Sequence, residues 1–494
     1  MSFKDKSTGE INPAFVAGED EERPEKSLDK LGPAPSAVSN TPNMTYGPKE
    51  NRRMLKNVFL TSFAFTFLFT AFQSMASLQS SINSDKGLGT YSLSVLYASI
   101  VVSSMFLPTY LIRKFTVKWT LVFAVFGYST YIAAQFEPSY GTLIPGAVIV
   151  GFCAAPLWSS KCTYLTHVGH QYTKLTGAPD SEVIIVRFFG VFFLFFQSSS
   201  IWGNLISSAV LSQDARECYN NVSEVCGVNF CPDTEFCDAN SNSSSSLKPS
   251  TRYTLSGIYL GCSLTAAVLI AVFLDPLTRY GEKERTGSSS QLEGKDLLIA
   301  TFRHMKKPYQ LLMIPLTIWS GMEQGFFGAE YTAGYVNCAW GIEKIGYVLI
   351  CYGIVDAICS VSFGPIIRYT GRLAIFVFGA IVNIAMIIVM LTWKPDRENP
   401  IMFFVVAGFW GLGDAIWQTQ INAFYGVLFP QDEEPSFSNY RLWESLGFII
   451  AYVFSNVLCV NIKLYILLVV IIIGMIGYFI VEILERKKQK VSSQ

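Results

Sequence analysis

The 494-residue chain is short of charge: only 15% of its residues are Asp, Glu, Lys or Arg, against about 25% in soluble domains. So few hydrated side chains cannot cover a globule of this size, and the missing polar surface must face lipid. Histidine is scarce at 3 and cysteine stands at 11, which argues against a metal-rich enzyme. Formal net charge is zero and no basic tract is interleaved with aromatics, so nucleic acid is not an expected partner. The first residues lack the short apolar core and small-residue cleavage site of a signal peptide. No nucleophile elbow, phosphate loop, zinc-protease helix or paired redox cysteine motif occurs in the polar segments, so the chain reads as non-enzymatic and implies no cofactor.

What the chain has instead is apolar length, with 51% hydrophobic residues and a mean hydropathy of +0.35. Its charges gather in residues 1–56, 211–252, 276–308 and 482–494. Between them lie twelve apolar stretches of the roughly 20 residues that a bilayer needs. Six fall at 57–82, 91–112, 117–136, 141–165, 183–210 and 253–275, and six at 309–331, 343–367, 371–393, 400–424, 438–460 and 462–482. Each must be helical, because backbone groups in hydrocarbon have to be satisfied within their own segment. The fold class is therefore an all-α membrane protein with twelve transmembrane helices. Residues 1–56 read as a disordered cytosolic tail, 57–275 as a first six-helix bundle, 276–308 as a charged cytosolic linker, 309–482 as a second bundle and 483–494 as a second tail. Orientation follows from Lys and Arg beside the spans. Arg52, Arg53, Lys56, Arg113, Lys114, Arg279, Arg303, Lys306, Arg368, Arg372 and Arg486 collect on one side, which is assigned to the cytosol together with both termini.

That orientation places the 211–252 loop outside the cytosol, in an oxidising space. The loop holds Cys218, Cys226, Cys231 and Cys237, and four such cysteines suggest two disulfides with three possible connectivities. It also carries two sequons, at Asn221 and Asn242, on polar stretches where a glycan could be attached. A zinc site is the rival, but the spacings lack the paired C-x-x-C pattern. Cys153, Cys162, Cys262, Cys338, Cys351, Cys359 and Cys459 lie in or beside spans and are expected to act as small apolar residues.

The linker divides the spans six and six, as in parallel repeats of the major-facilitator kind. Weak internal matches agree in span order: Gln73 and Gln79 with Gln324 and Glu330, Trp158 with Trp417, and Arg187 with Arg441. After span eight, Gly364, Arg368, Gly371 and Arg372 form a pattern that resembles the gating turn of major facilitators. Its counterpart after span two keeps Pro108, Arg113, Lys114 and Lys118 but lacks the glycines and the acid. Glycines in such a turn allow close helix approach, and its cations meet helix ends and acids of the neighbouring bundle.

Several strings carry a more specific likeness. Leu78 to Asn83, Ser103 to Pro108, Ala154 to Trp158 and Trp202 to Ser208 are continued in the second half by Glu323 to Phe326, Glu330 to Thr332, Asp356 to Cys359, Trp417 to Gln420 and Asn439 to Glu444. In this order they resemble the Unc-ninety-three family of major-facilitator-like membrane proteins, nearest its A-type branch, over about residues 50–485. The resemblance implies an auxiliary partner of another integral membrane protein rather than a transporter, with a potassium channel as the expected partner and the plasma membrane as the expected site. Escort of receptors from the endoplasmic reticulum is the family's other precedent, and the endoplasmic reticulum or an endolysosomal membrane is the alternative location, which composition does not separate from the plasma membrane.

Charged residues at mid-bilayer are costly, at about 2.5–3.5 kcal/mol for an Asp, and count as functional candidates. Glu323, Asp356 and Asp414 fall near the middle of spans seven, eight and ten, and Glu330 lies two turns beyond Glu323 on the same face. The first half offers the amides Gln73, Gln79, Gln197 and Asn204, with Lys161 and Arg187 near the cytosolic ends. One reading is a cavity whose acids take up a proton or a cation, as in a coupled solute carrier. The other is hydrogen bonding between helices, worth less than about 1 kcal/mol each. Arg441 and Glu444, three residues apart, are expected to form a local ion pair. His167 and His170 have the same spacing, but no third metal ligand is within sequence reach.

Overall fold

The computed structural model describes residues 49–105, 107–177, 181–212, 225–232, 247–281, 299, 302–429 and 433–492. Twelve long helices appear among them: α1 Glu50–Ile82, α2 Leu88–Ser104, α3 Leu107–Ala133, α4 Tyr140–Thr176, α5 Ser181–Leu211, α6 Pro249–Val268, α7 Pro308–Phe326, α8 Ile345–Thr370, α9 Arg372–Thr392, α10 Ile401–Leu428, α11 Glu433–Ser455 and α12 Val460–Ser492. Eight helical segments are individually long and apolar enough to cross a bilayer, and the others complete the bundles against them. Wide-turned stretches prolong α6 through Leu269–Phe273 and α7 through Phe327–Asn337. The helix α1 starts at Glu50, ahead of the apolar stretch, so Arg52, Arg53 and Lys56 ride on its first turns, where Arg53 pairs with Asp275 at 2.7 Å and Lys56 Nζ donates to Phe273 O at 3.0 Å.

The two halves turn alike between their second and third crossings. Between α8 and α9, Gly371 has φ 77° and ψ 158°, a region open to glycine because it has no Cβ. In the first half the same conformation falls on Thr116, with φ 66° and ψ 164°, inside α3. The stretch before Thr116 therefore belongs to the second crossing, and the chain doubles back so that Thr120 Oγ1 donates to Leu111 O at 3.1 Å. Without its glycines the first turn keeps the backbone shape, at the strain cost of a β-branched residue at positive φ.

Packing follows the same division. One core is built wholly from residues between Met54 and Tyr280. A second is centred on Met313 to Val481 but takes in Ala71, Met75, Leu78, Ile82, Val210, Leu211 and Leu255. Those additions come from the ends of α1 and α5 and the start of α6, so the halves join on the face that carries residues 225–232, here called the loop face. Cross-half contacts agree: Thr90 Oγ1 donates to Asn456 Oδ1 at 2.8 Å, Ser80 and Thr332 hydroxyls meet at 3.5 Å, and the rings of Tyr97 and Phe448 stack at 4.3 Å.

The loop cysteines correct the expected pairing. Cys226 bonds to Cys338, with Cα atoms 5.6 Å apart, and Cys231 bonds to Cys459, at 4.1 Å. The reason lies in where the segment rests. It lies on the second half, where Val460 N donates to Phe230 O at 2.9 Å and a Cβ on Gly334 would come within 3.0 Å of the Phe230 ring. Cys226 and Cys231 thus face the loop-face ends of α7 and α12 instead of each other. Cys338 and Cys459, expected to be small apolar fillers, are cystine halves. Cys218, Cys237, Asn221 and Asn242 lie outside the described residues.

Candidate functional site

A polar network runs through the second half. It is possible because α7 and α11 touch along a glycine seam: a Cβ on Gly321 would come within 1.9 Å of Glu444 O, and one on Gly447 within 2.3 Å of Ile318 O. That approach brings the polar faces of α7, α10 and α11 together. Gln418 Nε2 donates to Ser320 Oγ at 3.0 Å and to Glu444 Oε1 at 3.3 Å. Tyr440 Oη donates to Glu444 Oε1 at 2.8 Å. Arg441 pairs with Glu444 at 2.7 Å, as the three-residue spacing implies, and its side chain is 62% exposed.

Further into the bundle, among the described residues, no cation meets the acids. Glu323 is fully buried, lies within hydrogen-bonding reach of Asp414 and adjoins Trp410. Both of its carboxylate oxygens are without a donor, as is Oδ1 of Asp414, while Nε1 of Trp410 is without an acceptor. Tyr352 Oη donates to the other oxygen of Asp414 at 2.5 Å. Asp356 stands apart, half-buried, accepting from Ser360 Oγ at 3.3 Å. Among the described residues no ion pair reaches Glu323, Asp356 or Asp414.

Of the four acids singled out in the sequence, the structure therefore brings Glu323 and Asp414 together, sets Asp356 at their edge and places Glu330 elsewhere. Glu330 forms a buried ion pair with Lys463 at 2.5 Å, beside a small cavity lined by Met322, Phe326, Ala451 and Phe454. Lys463 is not among the residues the sequence singles out, although it stands at the start of the 462–482 stretch between Ile462 and Leu464. The first half has its own buried cation. Lys161 Nζ lies 4.4 Å from the ring of Phe192, 4.9 Å from Trp158, 5.0 Å from Phe193 and 5.1 Å from Phe189, an aromatic box that stabilises the ammonium through ring quadrupoles.

At the second-half turn, Arg372 pairs with Glu482 of α12 at 2.8 Å and stacks over Phe424 at 4.1 Å. The cation is thus held inside its own half, not by the neighbouring bundle. Gly364 and Arg368 are placed on α8, with the Arg368 side chain outside what the structure describes. His167 is accounted for by Tyr280, with Nε2 3.0 Å from its carbonyl oxygen. No group of three or more possible metal ligands occurs among the described residues.

Two six-helix halves, matching turns and acids set between spans define a multi-pass membrane protein of the major-facilitator type. The solved structure of the nucleoside transporter NupG has the same fold, with a TM-score of 0.59 over 86% of this chain and 99% of that one, at 12% identity. Residues 79–479 match the family described as "Ion channel regulatory protein UNC-93". The Xenopus laevis protein unc-93 homolog A is 47% identical, spanning 88% of this chain and 95% of its own length, and the human homolog A is 43% identical over 88% and 94%. The Caenorhabditis elegans "Putative potassium channel regulatory protein unc-93" is 35% identical, covering 88% of this chain and 62% of its own. The chain belongs to the UNC-93 family, whose description is that of a channel regulator and not of an enzyme.

Proposed function

We propose that the chain is a non-enzymatic auxiliary subunit that regulates another integral membrane protein, and that the partner is a potassium channel. The likeness to the nematode protein, which carries that role in its printed name and aligns with 88% of this chain, is the observation that carries the reading. The loop-face closure supports it: with Cys226 and Cys231 bonded to Cys338 and Cys459, a first-half loop is cross-linked to the second half, which suits a scaffold better than a carrier that opens to both sides. The tail face, with Arg52, Arg53, Arg279 and Arg486, lies in the cytosol together with both termini. The membrane is the plasma membrane, and Asn221 and Asn242 carry glycans on its outer side. Channel current recorded with and without this chain, together with co-purification in mild detergent, tests the reading. Unchanged current and no association would remove it.

The unpaired acids at Glu323 and Asp414 favour a second reading, a proton- or cation-coupled solute carrier. Uptake into reconstituted vesicles would then follow a pH or cation gradient and fall in Asp414→Asn.

A further inference from the structure

Glu323 and Asp414 approach each other from α7 and α10 with nothing between them to donate. Glu323 is 0% exposed and Asp414 5%. Their facing oxygens are both acceptors when ionised, which leaves three of the four carboxylate oxygens without a donor. Two like charges in contact in a low dielectric cannot both persist without a counter-charge. The groups packed around them supply none. Tyr352 and Asp356 on α8 are neutral and acidic, Tyr440 and Glu444 on α11 likewise, Arg441 is taken by Glu444, Lys463 of α12 by Glu330, and Lys161 of α4 is boxed in aromatics. An independent sign comes from Trp410, fully buried with its indole N–H unsatisfied beside Glu323. It is a buried donor beside the negative charge that would remain after one carboxyl is neutralised.

We propose that Glu323 and Asp414 share a single proton, held as one O–H···O bond between the two carboxyls, and that this pair is a proton-binding site in the second half. The remaining negative charge is delocalised over the pair and stabilised by Tyr352 Oη on Asp414 and by the Trp410 N–H. Gln418, which adjoins Asp414 and donates to Glu444, separates the pair from the Glu444–Arg441 ion pair. The site does not depend on which partner the chain regulates.

Infrared spectroscopy of the purified full-length protein in lipid nanodiscs tests it, through the C=O stretch of a protonated carboxyl and its shift in D2O. One such band per chain is expected in the wild type, lost in Glu323→Gln and in Asp414→Asn but kept in Asp356→Asn. Each amide supplies the missing donor without a change of shape, and monodisperse elution checks the fold of each variant. A wild type without the band overturns the proposal whatever the variants do. So does a band lost in only one of the two variants, which puts the proton on one carboxyl alone, or a band lost also in Asp356→Asn, which spreads it over a wider cluster. Suppression of the wild-type band by sodium or potassium, against an organic cation as control, would make this a metal-cation site instead.

Discussion

Replacing Lys463 by Met tests whether the Glu330–Lys463 pair is as sealed as its geometry implies. The ammonium and carboxylate are 2.5 Å apart, with side chains 5% and 3% exposed. Glu330 Oε1 has no donor, and the adjoining cavity, at about 10 Å³, has room for about one water. Without Lys463 the carboxylate would sit uncompensated between α7 and α12. Removing one partner of a buried pair costs about 3–5 kcal/mol, whereas replacing both by apolar or neutral groups of similar shape is often neutral. Lys463→Met should therefore be destabilised by about 3 kcal/mol or more, and Lys463→Met with Glu330→Gln should recover most of that loss. Unfolding in mixed micelles of the wild type, both single variants and the double variant closes the cycle. A coupling energy below about 0.5 kcal/mol, the value of a solvent-screened surface pair, would refute the reasoning.

Three other perturbations follow from the same contacts. Proteolytic cleavage within the 276–308 linker should leave the halves joined on a non-reducing gel, since Cys226–Cys338 and Cys231–Cys459 both cross between them. Reduction should separate them, and so should Cys338→Ser combined with Cys459→Ser, whereas either substitution alone should not. Gly321→Ala should cost about 1–3 kcal/mol by overpacking, because its Cβ would meet Glu444 O at 1.9 Å, while Gly328→Ala, with nothing within 4 Å, should be near neutral in the same thermal unfolding assay. Lys161→Met should raise thermal stability by about 1 kcal/mol or more, because it fills the aromatic box without the cost of a buried charge. A lower melting temperature would show that the four rings more than repay desolvation.

The twelve crossings are legible in the sequence because lipid forces the same solution on every segment: an apolar run of bilayer length must close its own hydrogen bonds. Helix ends are less legible, since they follow backbone bonding and not hydropathy, and the first turn of α1 is held by contacts distant in sequence, Glu50 with Arg279 at 2.8 Å and Arg53 with Asp275 at 2.7 Å. Glu323 and Asp414 stand out singly as polar residues out of place, yet nothing in their spacing says that spans seven and ten meet there. Their contact depends on bundle order and on the close approach of α7 to α11 at Gly321. Cys338 falls between spans seven and eight, on the side assigned to the 211–252 loop. Cys459, at the end of span eleven, faces the same compartment. Topology alone thus names six thiols for the oxidising side, not four, and six allow fifteen pairings, from which only the resting place of residues 225–232 selects. A bilayer tells each helix how much polarity it must hide, while the partner that hides it is set by three-dimensional neighbours that no single span encodes.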